Sequence, residues 1–131
     1  MNATKRILLI DDEEQLCRLM KLNLERDGSY EVETAFSGSE GIEKATATPF
    51  DLVITDFRMP GMSGQEVING LKAITPPAPV VICSVYHDDP ETVTDRIRTQ
   101  VDGVISKPID HVQLHQTIRE ALAKGSRGST A

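Results

Sequence analysis

Acidic residues, a serine and a lysine stand at the ends of short apolar segments, and these are the side chains best suited to chemistry. Asp11 and Asp12 follow KRILLI, Asp56 ends DLVITD, Ser84 ends VVICS, and Lys107 follows VIS. If the three carboxylates converge, each raises the proton affinity of the others. A hard divalent cation such as Mg²⁺ removes that penalty, because it prefers carboxylate, carbonyl and phosphate oxygens. The residue types therefore indicate a Mg²⁺ site suited to phosphoryl transfer, in which catalysis is largely positioning and charge neutralisation.

The lysine and the serine have natural roles in such a site. The ammonium of Lys107 could neutralise one phosphoryl oxygen, and the hydroxyl of Ser84 could donate a hydrogen bond to another. One of the acids would then be the nucleophile. This chemistry requires that the ends of the apolar segments meet in space, which depends on the fold.

Two kinds of segment follow one another along the chain. Short segments that are apolar throughout, or in which apolar and polar residues alternate, are typical of strands, and longer amphipathic stretches are typical of helices. The predicted strands are Lys5–Ile10, Tyr30–Ala35, Asp51–Asp56, Val80–Ser84 and Val104–Ser106. Apolar residues at helical spacing mark the buried faces of the helices, as at Leu16, Leu19, Met20 and Leu24, at Val67, Ile68 and Leu71, at Val93 and Ile97, and at Leu114, Ile118 and Leu122. Caps and terminators are predicted at Asp12, Gly28, Ser37 with Glu40, Ala47, Pro76-Pro77, Asp89-Pro90 and Asp110.

Five strands alternating with five helices predict an α/β fold, a doubly wound (βα)5 three-layer sandwich with a parallel sheet. In the flavodoxin-like order 2-1-3-4-5, strands one and three are neighbours, and ligands bind at the carboxyl ends of the strands. That order would place Asp11, Asp12 and Asp56 together. The domain is predicted to span residues 1–124, with 125–131 (GSRGSTA) as a flexible tail or the start of a linker.

Composition excludes several classes of function. The chain has 131 residues and a net charge of −6, which favours one globular domain and argues against direct nucleic-acid binding. The longest apolar run, Ile7–Ile10, is too short to cross a membrane, and the predicted compartment is the cytoplasm. Cys17 and Cys83 lack metal or redox spacing and are predicted to be buried hydrophobes.

The full set of motifs resembles the receiver domains of bacterial two-component response regulators, with their chemotaxis-regulator-like fold. The resemblance rests on Asp11-Asp12 after strand one, Asp56 within ITDFRMPGMSG, Ser84 after VVIC, and Lys107-Pro108, and it covers Lys5 to about Lys124. It implies that Asp56 accepts a phosphoryl group from a histidine kinase or a small acyl phosphate. It further implies a Mg²⁺ ion held by Asp56, Asp12, Asp11 (directly or through water) and the backbone carbonyl of Arg58.

The same resemblance implies a switch rather than an enzyme, since such a domain catalyses only its own phosphorylation and hydrolysis. Lys107 would hold the phosphoryl group, Ser84 would be the switch hydroxyl, and the Lys107-Pro108 bond would be cis. The implied partners are a sensor histidine kinase or phosphotransfer protein, and an output domain or a second copy bound through helix four, strand five and helix five. No nucleic acid or membrane contact is expected of this domain.

One position departs from the family pattern. Receivers usually carry Tyr or Phe three residues before the strand-five lysine, where this chain has Val104. We hypothesise that packing of Val104, or movement of Tyr86, replaces the ring movement by which the family reshapes its output face. The alternative function is an interaction module with a receiver fold that works without phosphorylation, and Val104 is the feature that favours it.

Arg58 and Tyr86 lie two residues past Asp56 and Ser84, where side chains flank the path of the attacking water in the family. We expect Tyr86 to shield the phosphoryl group, so phosphorylated wild type should lose phosphate more slowly than phosphorylated Tyr86→Ala. Equal decay rates, followed by the mass of the intact protein, would refute this expectation for Tyr86. The alternative for both residues is that they are ordinary loop surface.

Other readings of the motifs are weaker. A haloacid-dehalogenase phosphatase would need an acid where Arg58 stands, and a flavodoxin phosphate loop would not contain the acids that follow strand one. His111 and His115 have helical metal-pair spacing but no third ligand in the sequence, so a solvated helix face is preferred.

Overall fold

The computed structural model describes residues 4–26, 28–84 and 95–130. Within them, strands and helices alternate strictly along the chain. The strands are β1 (Lys5–Ile10), β2 (Tyr30–Ala35), β3 (Leu52–Asp56), β4 (Val80–Ser84) and β5 (Gly103–Ser106). The helices are α1 (Glu14–Glu25), α2 (Gly38–Ala47), α3 (Gly64–Lys72), α4 (Asp95–Arg98) and α5 (His111–Thr130).

The strands form one parallel sheet in the order β2-β1-β3-β4-β5, which confirms the predicted fold class. β1 pairs with β2 on one side and with β3 on the other, and β4 follows β3. Strand bounds agree with the sequence prediction except that β3 begins at Leu52 and β5 begins at Gly103. The order brings the carboxyl ends of β1 and β3 side by side.

Each face of the sheet carries its own hydrophobic core, because successive side chains of a strand point to opposite faces. Ile7 and Leu9 of β1 belong to the cluster that includes residues of α1 and α5. Leu8 and Ile10 belong to the cluster that includes residues of α2 and α3. This division explains why the strand is apolar at every position from Ile7 to Ile10, all of them buried.

The first helix differs from its sequence prediction in two respects. Its buried stripe consists of Cys17, Met20 and Leu24, whereas Leu19, which was predicted to face inward, is 62% exposed. Several adjacent apolar residues allowed two rotations of the helix, and packing selected the one that buries Cys17. Asp12 is not the cap either, because the N-cap residue is Glu13.

The remaining caps mostly follow the sequence. Ser37 Oγ accepts a hydrogen bond from the Glu40 amide, and Asp110 Oδ1 accepts one from the Val112 amide. Ser63 and Glu66 form a reciprocal capping box at the start of α3 that was not predicted. Ile97 is buried as predicted, while Asp89, Pro90 and Val93 lie outside the described residues.

The backbone of the last helix, α5, is helical to Thr130. The role of residues 125–131 as a flexible tail or the start of a linker stays a prediction. Leu114, Ile118 and Ala121 are fully buried and Leu122 is half-buried, so this part of α5 packs against the core. None of the helices in the described part of the chain combines the length and the apolar character needed to span a bilayer.

Gly64, the first residue of α3, permits a close approach to Phe57. A Cβ at Gly64 would lie 2.6 Å from the carbonyl oxygen of Phe57 and closer still to its ring. We expect Gly64→Ala to lower the free energy of unfolding by about 1–3 kcal/mol, since backbone must move to accept the methyl group. The measurement is urea unfolding at pH 7.

Gly70, in the same helix, is the matched control for Gly64. The three atoms nearest to a Cβ there all belong to the Ile42 side chain, and the nearest is its terminal Cδ1 at 2.5 Å. Alanine also has a helix propensity better than that of glycine by up to about 1 kcal/mol. Gly70→Ala should therefore cost clearly less than Gly64→Ala, and equal losses would contradict the proposed backbone clash.

Glu25, at the end of α1, ties that helix to β2. Its Oε2 atom accepts hydrogen bonds from the Val32 amide at 2.8 Å and from Lys21 Nζ at 2.9 Å. The Val32 hydrogen bond, with help from Lys21, holds the pKa of Glu25 below its ordinary value of 4.5. Because the folded state binds this proton less tightly, the stabilisation is present above the unfolded pKa and is lost as pH falls through the folded pKa.

We therefore expect Glu25→Gln to be less stable than wild type at pH 7, by about 1 kcal/mol or less for such a half-exposed group. The difference should shrink as pH falls below about 4. Urea unfolding between pH 7 and pH 3 measures it, with Glu43→Gln, an exposed carboxylate of α2, as control. A difference that is constant over this range would contradict the prediction.

Candidate phosphoryl-transfer site

The sheet register brings the predicted site residues to one edge. Asp56 is opposite Cys83 at the end of β4, one residue before Ser84, and Ser84 is opposite Ser106. Lys107 follows Ser106 directly, and its amide donates a hydrogen bond to the Ser84 carbonyl at 2.9 Å. These pairings convert residues that are distant in sequence into neighbours, as the predicted strand order required.

Three carboxylates meet at the junction of β1 and β3. Oxygen atoms of Asp11, Asp12 and Asp56 all lie within 4.8 Å of one another. Asp11 and Asp56 are buried, with 2% and 7% of their surface exposed, whereas Asp12 is exposed. This cluster of Asp11, Asp12 and Asp56, here called the acidic pocket, thus has two buried members and one exposed member.

Lys107 lies among these carboxylates. Its Nζ atom is 3.0 Å from Asp11 Oδ2 and 3.2 Å from Asp56 Oδ2, and its side chain is 11% exposed. Burial alone would lower the pKa of this ammonium, but the hydrogen bond to Asp11 and the charges of Asp56 and Asp11 outweigh it and raise the pKa. Lys107 therefore carries its charge at neutral pH and partly neutralises the two buried acids.

Asp56 is subject to opposing influences. Burial and the neighbouring charge of Asp11 raise its pKa above the ordinary value, while Lys107 and the Arg58 amide act in the opposite direction. The Arg58 amide donates a hydrogen bond to Asp56 Oδ1 at 3.2 Å, and Lys107 donates to Oδ2. Both oxygens of Asp56 thus have donors, so the carboxylate is held in a defined orientation.

The donor set fits Mg²⁺. The side-chain donors are carboxylate oxygens, two of them buried, and Mg²⁺ prefers a few such ligands together with waters and phosphate oxygens. Two buried acids share one ammonium, so negative charge remains for a divalent cation to neutralise. The backbone amide of Arg58 donates a hydrogen bond to Asp56 Oδ1. The role of the Arg58 backbone carbonyl as a metal ligand stays a prediction.

Val104 stands at the position where the resembled family usually has an aromatic residue. This residue is half-buried and packs, with Phe57 and Val101, against the cluster of Ile68, Ile82 and Ile97. Phe57 directly follows Asp56, so this apolar cluster begins next to the acidic pocket. Ser84 is 1% exposed at the end of β4, and Tyr86 lies outside the described residues.

One contact was not predicted from the sequence. Glu13 Oε1 lies 3.5 Å from Lys107 Nζ, which makes Glu13 a further carboxylate at that lysine. The run Asp-Asp-Glu-Glu at 11–14 contained a signal, but only the geometry distinguishes Glu13 from Glu14. The Lys107-Pro108 bond is cis, as the resemblance implied.

The remaining candidates do not join this site. Cys17 and Cys83 are buried, as predicted, and burial raises the pKa of each thiol to about 12. His115 Nε2 is 2.9 Å from Asn23 Oδ1, a contact between α5 and α1. Among the described residues, neither His115 nor His111 belongs to a cluster that could hold a metal.

Comparison with known proteins identifies relatives over nearly the whole chain. A family model described as response regulator receiver domain matches residues 7–119. The transcriptional regulatory protein GlrR of Escherichia coli strain K12 is 34% identical over 120 residues, which are 92% of this chain and 27% of GlrR. The chain thus spans about a quarter of the length of this curated relative.

Solved structures agree with the sequence comparison. A response regulator receiver domain protein from Clostridium thermocellum is 33% identical with a TM-score of 0.83, over 93% of this chain and 97% of that one. The response regulator TrrA from Thermotoga maritima, solved in complex with Mg²⁺ and BeF, is 30% identical with a TM-score of 0.78. That match covers 90% of this chain and 99% of TrrA.

Proposed function

The chain belongs to the response regulator receiver domain family, and from that premise we propose that Asp56 is its phosphoryl acceptor. Receiver domains are phospho-accepting switch domains and are generally not enzymes. The donor would be a sensor histidine kinase, a phosphotransfer protein or a small acyl phosphate. The observation that carries the proposal is the position of the Lys107 ammonium, within 3.2 Å of both Asp11 and Asp56 at the carboxyl edge of the sheet.

Mg²⁺ is the cofactor that these residues would hold. Asp11, Asp12 and Asp56 supply oxygen ligands within 4.8 Å of one another, and the Arg58 carbonyl would add a backbone ligand. When bound, Mg²⁺ neutralises the charge that develops on the phosphoryl oxygens. The related TrrA was solved in complex with Mg²⁺ and BeF, which supports a Mg²⁺ site in this chain.

Asp56 would act as the nucleophile in its ionised form. One of its carboxylate oxygens attacks phosphorus, a new O–P bond forms, and the donor's bond to phosphorus breaks with its electron pair leaving on the donor. Lys107, already bonded to Asp56 Oδ2, would then transfer its hydrogen bond to a phosphoryl oxygen. Burial raises the pKa of Asp56 and Lys107 acts in the opposite direction, so Lys107 favours the ionised form of the nucleophile.

Phosphorylation would be read out through the side of the site that contains Ser84 and Val104. The Ser84 hydroxyl, at the end of β4, would move toward the phosphoryl group. With Val104 in the usual aromatic position, the change would be transmitted by packing of Val104 in the cluster of Ile68, Ile82 and Ile97, or by Tyr86. Identical conformations around these residues before and after activation would contradict this route.

The proposed function also implies interaction partners and hydrolysis of the phosphoryl group. The relatives are transcriptional regulators of which this chain covers a part, so an output domain, or pairing of two copies through α4, β5 and α5, is the proposed means of action. The absence of direct nucleic-acid binding and the cytoplasmic location stay predictions. The domain would also catalyse hydrolysis of its own phosphoryl group, and comparison of wild type with Tyr86→Ala tests whether Tyr86 slows that hydrolysis.

Uptake of phosphate tests the function directly. Intact mass after incubation with acetyl phosphate should show one added phosphoryl group in the presence of Mg²⁺ and none when the metal is chelated. A folded protein that binds Mg²⁺ but takes up no phosphoryl group would instead be an interaction module that works without phosphorylation. Val104 is the observation that favours this second candidate.

A further inference from the structure

Glu13 contacts the lysine of the site without belonging to the acidic pocket. Its Oε1 atom lies 3.5 Å from Lys107 Nζ, and its side chain is 64% exposed. Among the described residues, the other carboxylates at Lys107 are those of Asp11 and Asp56, which are almost fully buried. Lys107 is thus shared between two buried acids inside the pocket and one exposed acid at its rim.

The backbone of Glu13 holds its side chain at this rim. Glu13 is the N-cap residue of α1, yet its side chain forms no capping hydrogen bond. Its amide donates a hydrogen bond to Asp11 Oδ1 at 3.0 Å, which fixes the residue relative to the acid beside Lys107. The carboxylate is therefore directed to Lys107 rather than to the start of its own helix.

We propose that Glu13 is a positioning residue that holds Lys107 in the unphosphorylated site and competes with the phosphoryl group for its ammonium. The inference rests on the proposed function, because Lys107 must turn to the phosphoryl oxygens when Asp56 is modified. Asp11 and Asp56 are needed as metal ligand and acceptor. Glu13 has neither task, so its contact with Lys107 stabilises the resting site alone and slows phosphorylation.

The expected size of this effect is modest. An exposed ion pair changes an equilibrium by a factor of about two to five. If the contact is lost as the phosphoryl group arrives, the rate of phosphorylation should change by a similar factor. Removal of the Glu13 carboxylate should therefore accelerate phosphorylation, whereas loss of a metal ligand or of the acceptor would slow it.

Glu14 provides the matched control. It is the next residue, carries the same charge and is also exposed. In the described part of the chain, the ion pairs of Lys107 are with Asp11, Glu13 and Asp56, and Glu14 is not among them. Glu14→Gln therefore reports the general effect of removing one negative charge near the site.

The first measurement is the rate of phosphoryl uptake from acetyl phosphate at saturating Mg²⁺. We expect Glu13→Gln to react about two to five times faster than wild type, and Glu14→Gln to react at nearly the wild-type rate. Equal rates for the two variants would overturn the inference, since the effect would then be one of net charge. A slower Glu13→Gln protein would overturn it as well.

The second measurement is independent of phosphorylation. The ¹⁵N signal of the Lys107 ammonium, assigned with Lys107→Arg, should shift in Glu13→Gln and stay in place in Glu14→Gln. An unchanged Lys107 signal together with normal wild-type uptake would overturn the inference and leave the proposed function intact. If wild type takes up no phosphoryl group, the proposed function fails and the competition at Lys107 fails with it.

Discussion

Asp56→Asn is expected to take up no phosphoryl group from acetyl phosphate under conditions in which wild type becomes fully modified. The amide is not nucleophilic, and among the residues that the structure describes no other carboxylate has the same surroundings. Asp11 lies at the end of β1 with its oxygens committed to the Glu13 amide and to Lys107, and Asp12 is exposed. Intact mass measures the uptake, and reduction of the acyl phosphate followed by peptide analysis locates the acceptor.

Asp51→Asn is the control for this prediction. Asp51 directly precedes β3, the strand that Asp56 ends, and its Oδ2 atom accepts a hydrogen bond from the Arg6 amide, a role that an asparagine oxygen can keep. Its phosphoryl uptake should match that of wild type. Modification of Asp56→Asn at an undiminished level would mean that another residue is the acceptor, and the assignment of the site would be wrong.

Lys107→Met is expected to have the largest effect on stability. Asp11 and Asp56 would remain buried without the cation that lies 3.0 and 3.2 Å from them. Removing one partner of a buried ion pair costs about 3 kcal/mol or more, because the remaining charge is left uncompensated. We expect a loss of this order in the free energy of unfolding at pH 7 without Mg²⁺, measured by urea unfolding.

Two further conditions identify the cause of that loss. Mg²⁺ should restore much of the stability of Lys107→Met, because a ligand that binds only the folded state adds about 2.7 kcal/mol at a hundred times its dissociation constant. Lower pH should also reduce the difference in the free energy of unfolding between wild type and Lys107→Met. The pKa of Asp56 is already raised by burial, and without Lys107 the folded state would bind this proton more tightly than the unfolded state.

Lys72→Met, an exposed position on α3, should unfold with nearly the same free energy as wild type, with or without Mg²⁺. If Lys107→Met were equally stable, the two buried acids would not depend on the ammonium. If Mg²⁺ had no effect on Lys107→Met, the acids would not be the source of the loss.

The sequence by itself determined the strands and the composition of the site. β1, β2 and β4 begin and end where the pattern predicted. β1 and β4 are buried strands, which must be apolar at nearly every position, whereas β2 has both buried and more exposed positions along its length. Parallel strands present their carboxyl ends to one edge, so polar residues placed directly after such strands were bound to meet there. That reasoning located Asp11, Asp56, Ser84 and Lys107 without any contact being known.

Only the tertiary structure decided which face of a helix is buried and which charged side chains form ion pairs. Leu19 of α1 was predicted to face inward with Met20 and Leu24, yet the packing of the helix leaves it 62% exposed. The contacts of Lys107 with Asp11 and Glu13 join residues 96 and 94 positions apart. Local periodicity records which side chains avoid water, but the partner of a charge depends on distances that exist only after the strands have assembled.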